Sequence, residues 1–162
     1  MAVEVASVPL VGANSVALSL EQQSALKGLT QVEFDRLVAA GANPKSKTFT
    51  PALSVAQDLQ TGQISQVHGN SLIGAQPAWS PTLGVRAAEV PTDLLTSYVK
   101  THGFGSHSEV YAVNELLLAR PTATLSDIAV FTMETKIPKY MGQVKPPCPH
   151  CTYLLNGVEY VK

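Results

Sequence analysis

Apolar positions recur along this chain in two rhythms, helical and alternating, and the rhythm changes at Gly, Pro and Asn. The first 18 residues alternate small and apolar side chains around Pro9 and Gly12, which reads as an extended segment or strand packed on the rest of the chain. Ser19-x-x-Gln22 and Thr30-x-x-Glu33 are capping-box patterns, each followed by apolar residues at helical spacing. They predict two short helices, about 20–27 and 31–40. Gly41-Ala42-Asn43-Pro44 ends the second, because glycine suits the C′ position and proline cannot continue. Residues 52–58 and 63–68 are β-prone runs joined by Leu59-Gln60-Thr61-Gly62, the pattern of a hairpin. Pro77, Pro81, Gly84 and Pro91 make 76–91 a long loop. Next comes a short helix over 92–102, with Leu94, Leu95, Tyr98 and Val99 on one side, and Gly103-Phe104-Gly105 breaks it. Val110, Val113, Leu116, Leu117 and Leu118 then define a helix from His107 to Arg120, stopped by Pro121. Residues 127–135 suit a buried central strand, 136–145 a loop, and 148–155 a last helix closed by Asn156-Gly157. A short strand over 158–161 completes the chain.

Strand, strand, helix, strand, helix, strand is an α/β order, which predicts one mixed sheet with flanking helices in two or three layers. At 162 residues a single core is expected. We divide the chain into a small helical N-terminal extension, 1–45, packed on a domain spanning 46–162. A hydrophobic content of 45% with 14% charged residues fits a globular protein. The formal net charge of −1 excludes a strongly basic nucleic-acid binder and leaves room only for a local basic patch. No apolar run approaches the roughly 20 residues needed to span a bilayer, so no membrane partner is expected. The N-terminus lacks the basic n-region of a signal peptide.

Two cysteines complete the picture. Cys148 and Cys151 stand in Pro147-Cys148-Pro149-His150-Cys151, a spacing that suits metal or redox chemistry rather than a disulfide framework. Two thiolates on the first turn of a helix can bind one zinc ion. Upstream, Ser106-His107-Ser108-Glu109 offers an imidazole and, two residues on, a carboxylate. His107, Cys148 and Cys151 would leave one tetrahedral position for water, the layout of a catalytic zinc. Two other readings compete. His102 and His107 with the two cysteines would close a structural zinc site, in which Glu109 has no role. A redox C-x-x-C would need a strand–helix context that is not evident here.

Taken in order, these residues read H-x-E…P-C-x-x-C, and the chain resembles the zinc-dependent nucleobase deaminases of the cytidine deaminase-like superfamily. Within it the chain is most similar to the bacterial toxin branch, which includes the YwqJ-like and single-stranded DNA cytosine deaminase toxins. The resemblance covers roughly residues 52–162 and implies a cytidine deaminase-like mixed sheet opened by a hairpin. The short C-terminus allows that sheet to lack a fifth strand. It further implies that Glu109 carries protons between water, the ring nitrogen and the departing amine, so that cytosine becomes uracil. Asn70, after the second strand of the hairpin, is a substrate contact by resemblance; as a bare residue it is a turn former. Trp79 can stack on a base or pack in the core, and Phe104 leads directly into the H-x-E motif. Tyr140, flanked by Lys136, Lys139 and Lys145, can stack a base beside a phosphate backbone. A single-stranded DNA target avoids the cost of extracting a base from a paired stack. RNA, duplex DNA and free nucleosides or nucleotides are the alternatives, and a non-catalytic zinc module is a further one. The toxin branch implies a secreted effector acting in the cytoplasm of a target bacterial cell, and a cognate immunity protein.

Overall fold

The computed structural model describes residues 18–97 and 103–162. The extended segment expected over residues 1–18, apart from Leu18, and Tyr98, Val99 and His102, lie outside them. A four-stranded mixed sheet carries the fold, with β1 (Ala52–Asp58), β2 (His68–Gly69), β3 (Ile128–Glu134) and β4 (Glu159–Tyr160) in the order β2-β1-β3-β4. β1 and β3 pair antiparallel along their whole length, from Ala52↔Glu134 to Asp58↔Ile128. β3 and β4 run parallel, which requires a crossover; the helix α5 (Pro149–Leu154) lies on that connection.

Alternation along the two central strands decides which helix each face receives. Leu53, Val55, Ala129, Phe131 and Met133 point to one side and form a core with Leu26, Phe34 and Leu37 of α1 (Leu20–Ala39). Ala56, Ile128 and Val130 point to the other and meet Val110, Val113, Leu116 and Leu117 of α4 (Ser108–Ala119), with Leu154 and Leu155 from the C-terminal helix and its cap. Every residue of β1 and β3 is buried, as expected of strands covered on both faces. The result is three layers.

Three expectations need correction. The two N-terminal helices are one helix of 20 residues. Ser19 and Gln22 do form the reciprocal capping box, at 3.1 and 3.0 Å. Thr30, however, sits fully buried inside the helix and donates its hydroxyl to the Lys27 carbonyl at 2.8 Å instead of capping. Burial of Leu26 on the sheet outweighs the roughly 1 kcal/mol that Gly28 costs a helix relative to alanine. The C-terminus is as read: Gly41, at φ 103°, donates to the Val38 carbonyl and Ala42 to that of Leu37, a Schellman closure.

The second correction is α2 (Pro81–Ala88), inside the stretch taken for a loop. Proline at the first helical position costs nothing, because its missing N–H would have had no partner there. Ser80 caps this helix through Leu83, whose side chain is buried in the core. A further short helix, α3 (Thr92–Ser97), comes next. Third, the second strand of the hairpin is paired only at Ile64 and at His68–Gly69. Between them the Ser65 hydroxyl accepts the Ala56 N–H, and the Gln66 N–H turns to the Glu115 carboxylate, which interrupts the ladder.

Candidate metal centre

Two glycines with left-handed backbone, Gly103 at φ 103° and Gly105 at φ 80°, turn the chain into α4. The turn is fixed by the Ser106 hydroxyl on the Gly103 carbonyl at 2.7 Å, and by the Ser71 N–H on the Ser106 carbonyl at 2.8 Å. His107 occupies the N-cap position in an extended conformation, but its side chain does not cap the helix. The Asn70 Oδ1 takes over that duty, accepting the Ser108 N–H at 2.9 Å. On the other side, Cys148 is the N-cap of α5 and Pro149 its first residue, so Cys148 and Cys151 share one turn.

These two turns meet. The His107 Nδ1 lies 3.4 Å from the Sγ of Cys148 and 3.4 Å from that of Cys151, and the two sulfurs are 3.6 Å apart. Among the described residues these three side chains form the group that can hold a metal ion. His102, the fourth ligand of the closed structural site, lies outside the described residues. The hydrogen bond from the Cys151 thiol draws the Cys148 thiol down to about 4 against the effect of burial, and His107 assists. Cys151 is pushed up by that same bond, by burial and by the charge of Glu109. A metal held by both sulfurs would require both as thiolates, so its binding would release protons.

Glu109 is buried beside them at 4% exposure. Burial raises its carboxyl above the ordinary range, against its own backbone N–H, the charge of His107 and a hydrogen bond with Cys151. A carboxyl raised in this way holds a proton more readily than an exposed one. Beneath the motif, the Ser54 hydroxyl meets both Ser108 and Thr132 at 2.7 Å, tying the first turn of α4 to the two central strands. Serines and threonines are too common for a sequence to reveal such a buried chain of hydroxyls. His150, between the cysteines, is also buried and holds the Leu94 carbonyl at 2.6 Å.

The four predicted substrate contacts have different fates. Asn70 stands against the H-x-E turn through its bond to Ser108. Trp79 is half-buried, packed on the α4 core and against Gly105. Phe104 meets the His150 ring edge-on at 5.2 Å and packs on the same core. Tyr140 is exposed on the turn 138–140, with the Lys139 ammonium 5.4 Å from its ring centre. The basic cluster around it is thinner than the sequence suggests. Lys136 donates to the Ser46 carbonyl and Lys145 pairs with Glu134, which leaves Lys139. An open groove of about 570 Å³ runs along α4 past His68, Tyr111 and Glu115, and includes none of the triad.

A two-cysteine turn, a histidine N-cap and a buried carboxyl two residues beyond it make a compact site; a metal held there could assist attack of water on a carbon–nitrogen bond. The comparisons agree with that chemistry. A curated relative, "Toxin YwqJ" of Bacillus subtilis (strain 168), is 37% identical over 133 residues, which cover 80% of this chain and 22% of that protein. The chain therefore spans about a fifth of that relative's length. No solved structure matches it. The model of the YwqJ-like deaminases matches residues 39–160, the sheet and the whole site included, and the chain belongs to that family.

Proposed function

We propose that this chain is a zinc-dependent deaminase that converts cytosine to uracil in single-stranded DNA, as the toxin domain of a larger effector. The observation that carries the reading is the triangle of His107, Cys148 and Cys151 beside a buried Glu109. Tetrahedral zinc with sulfur at about 2.3 Å and nitrogen at about 2.0–2.1 Å requires edges of about 3.8 Å between sulfurs and about 3.5 Å from sulfur to nitrogen. The edges in the structure are 3.6, 3.4 and 3.4 Å, so the donor set fits that ion. Zinc held there supplies a Lewis acid with an open position, which lowers the pKa of water towards neutrality.

Glu109 manages the protons. Its carboxylate takes one from the attacking water and delivers it to N3 of the base, while the water oxygen bonds to C4. A second proton passes through the same carboxyl to the amine, the C4–N4 bond breaks, and ammonia leaves. Water and cytosine in, uracil and ammonia out, the balance closes. The raised position of the Glu109 carboxyl supports this role, because it must both accept and give. Asn70 commits its oxygen to Ser108, and its N–H groups remain donors suited to an acceptor on the sugar or base. Support for a single-stranded substrate comes from the exposed Tyr140 with Lys139 over its ring. The name of the relative supports a toxin role; delivery to a target cell and an immunity partner belong to the same proposal.

Uracil formation by the zinc-loaded protein on single-stranded DNA, duplex DNA, RNA and free cytidine, beside Glu109→Ala, tests the reading. Product in single-stranded DNA alone, absent with the variant, is expected. Product from free cytidine alone would move the substrate to a nucleoside, and normal turnover by Glu109→Ala would remove the mechanism.

A further inference from the structure

The loop that presents His107 is held only in part by its own residues. Gly103 and Gly105 occupy left-handed backbone, but glycine visits other basins as freely, and within the loop one side-chain bond, the Ser106 hydroxyl on the Gly103 carbonyl, favours this one. The remaining restraint comes from residues 71–80, which cross over the loop without regular structure of their own. This strap is fastened to α4 at two points. Tyr111 donates its hydroxyl to the Ala75 carbonyl at 2.6 Å, and Asn114 brackets the far end through the Ala78 carbonyl and the Ser80 N–H, each at 2.8 Å. From the strap, three groups reach the loop. The Ser71 N–H binds the Ser106 carbonyl, and the Gln76 amide donates to the Phe104 carbonyl at 3.1 Å. Trp79 lies so close to Gly105 that a methyl group there would come within 2.9 Å of its ring. The indole N–H in turn holds the Gln76 side chain at 3.2 Å.

We propose that Trp79 is a positioning residue for the metal centre: its ring, with Gln76 beside it, clamps the Phe104–Ser106 backbone and thereby preorganises the His107 imidazole. The inference rests on the reading of His107, Cys148 and Cys151 as metal ligands, and gives Trp79 a role other than stacking on a base. Without the ring, Gly105 has space on that side and the loop regains its alternatives, so binding a metal must order it again. The two cysteines, carried by a helix packed in the core, would not share that loss.

Zinc affinity by chelator competition, with the ligand-field spectrum of the cobalt-loaded protein, tests the clamp without reference to turnover. Trp79→Ala is expected to weaken zinc binding about tenfold or more, in the range seen for outer partners of metal ligands, and to alter the cobalt spectrum. Trp79→Phe keeps a ring on Gly105 and is expected to restore both. Gln76→Leu, which cuts the Phe104 tie alone, should shift affinity the same way by less, and reports on the clamp even where Trp79→Ala does not fold. A Trp79→Ala protein with a lowered Tm but unchanged zinc affinity and cobalt spectrum would reduce Trp79 to packing and overturn the proposal. Wild-type protein that takes up no zinc would instead overturn the metal reading, and the clamp with it.

Discussion

The two faces of one sheet carry different burdens, and the same strands supply both. Towards α1, β1 and β3 present Leu53, Val55, Ala129, Phe131 and Met133, a largely apolar surface whose one buried polar side chain, Gln57, donates to the Gly62 carbonyl. Towards α4 the alternate positions include Ser54, Asp58, Thr132 and Glu134, all buried and all in hydrogen bonds or ion pairs. Buried polar groups cost stability unless satisfied, so their concentration on one face marks where the fold gives up packing for chemistry. The α1 face is the backing that makes this tolerable. A two-residue period therefore separates stability from function within single strands.

The sharpest break in that comparison is Glu109→Gln. Its carboxyl is buried and raised, with no lysine or arginine paired to it among the described residues, so on the proposed mechanism its charge serves turnover while its burial costs stability. Turnover should fall by about 10²–10⁴-fold, the range for loss of a general acid–base group, while Tm holds or rises. Product formation and thermal melts on the same sample check both halves. A fall in Tm of several degrees would show that Glu109 holds the fold as well.

Phe131→Ala addresses the opposite face. The ring is 1% exposed among Leu26, Leu53 and Met133, and its removal should cost about 3–5 kcal/mol, visible as a lower denaturant midpoint. Zinc content and turnover per folded molecule should stay near wild type, since no polar group of the site touches that side. If turnover per folded molecule collapses too, the two faces are not separable.

Glu134 shows what the active face does with a carboxylate that is not catalytic. Burial raises it, but the Lys145 ammonium and the N–H groups of Ile137 and Lys136 outweigh that and hold the carboxyl below its ordinary range. A depressed folded value contributes stability above the unfolded pKa, and that contribution is lost as the pH falls through the folded value. Wild type should exceed Glu134→Gln by about 1–2 kcal/mol at pH 7, and the gap should close as the pH drops from about 5 towards 2. Melting curves of both proteins across that range give the answer. A gap that stays constant would assign Glu134 to packing.

How much of the molecule is legible in the sequence obeys the same divide. The candidate ligands are legible because each half of the motif is local: two cysteines one helical turn apart, and a glutamate two residues beyond a histidine. The central strands are legible from their runs, which match β1 and β3 nearly residue for residue. What escapes are bonds between distant segments. Ser54 meeting Ser108, Asn70 capping α4, and Lys136 and Lys145 committed to Ser46 and Glu134 all join residues that no local pattern connects. Where local signals mislead, tertiary packing has overridden them. Thr30-x-x-Glu33 has the form of a capping box, yet Thr30 lies in a continuous helix because that register buries Leu26, Phe34 and Leu37 on the sheet.

The smallest prediction turns on that helix. Gly28 sits in the interior of α1, and a methyl group built there would find nothing within 4 Å. Its backbone is helical, so alanine brings no strain, and it removes conformations only from the unfolded chain. Gly28→Ala should therefore stabilise the protein by about 0.5–1 kcal/mol, with zinc affinity and turnover unchanged. A chemical denaturation midpoint at constant m-value is the measurement. The sign matters more than the size: a gain shows that the backing face has slack that function does not use. A loss would mean that glycine answers a requirement of α1 against its neighbours, and the division between a working face and a passive one would have to be redrawn.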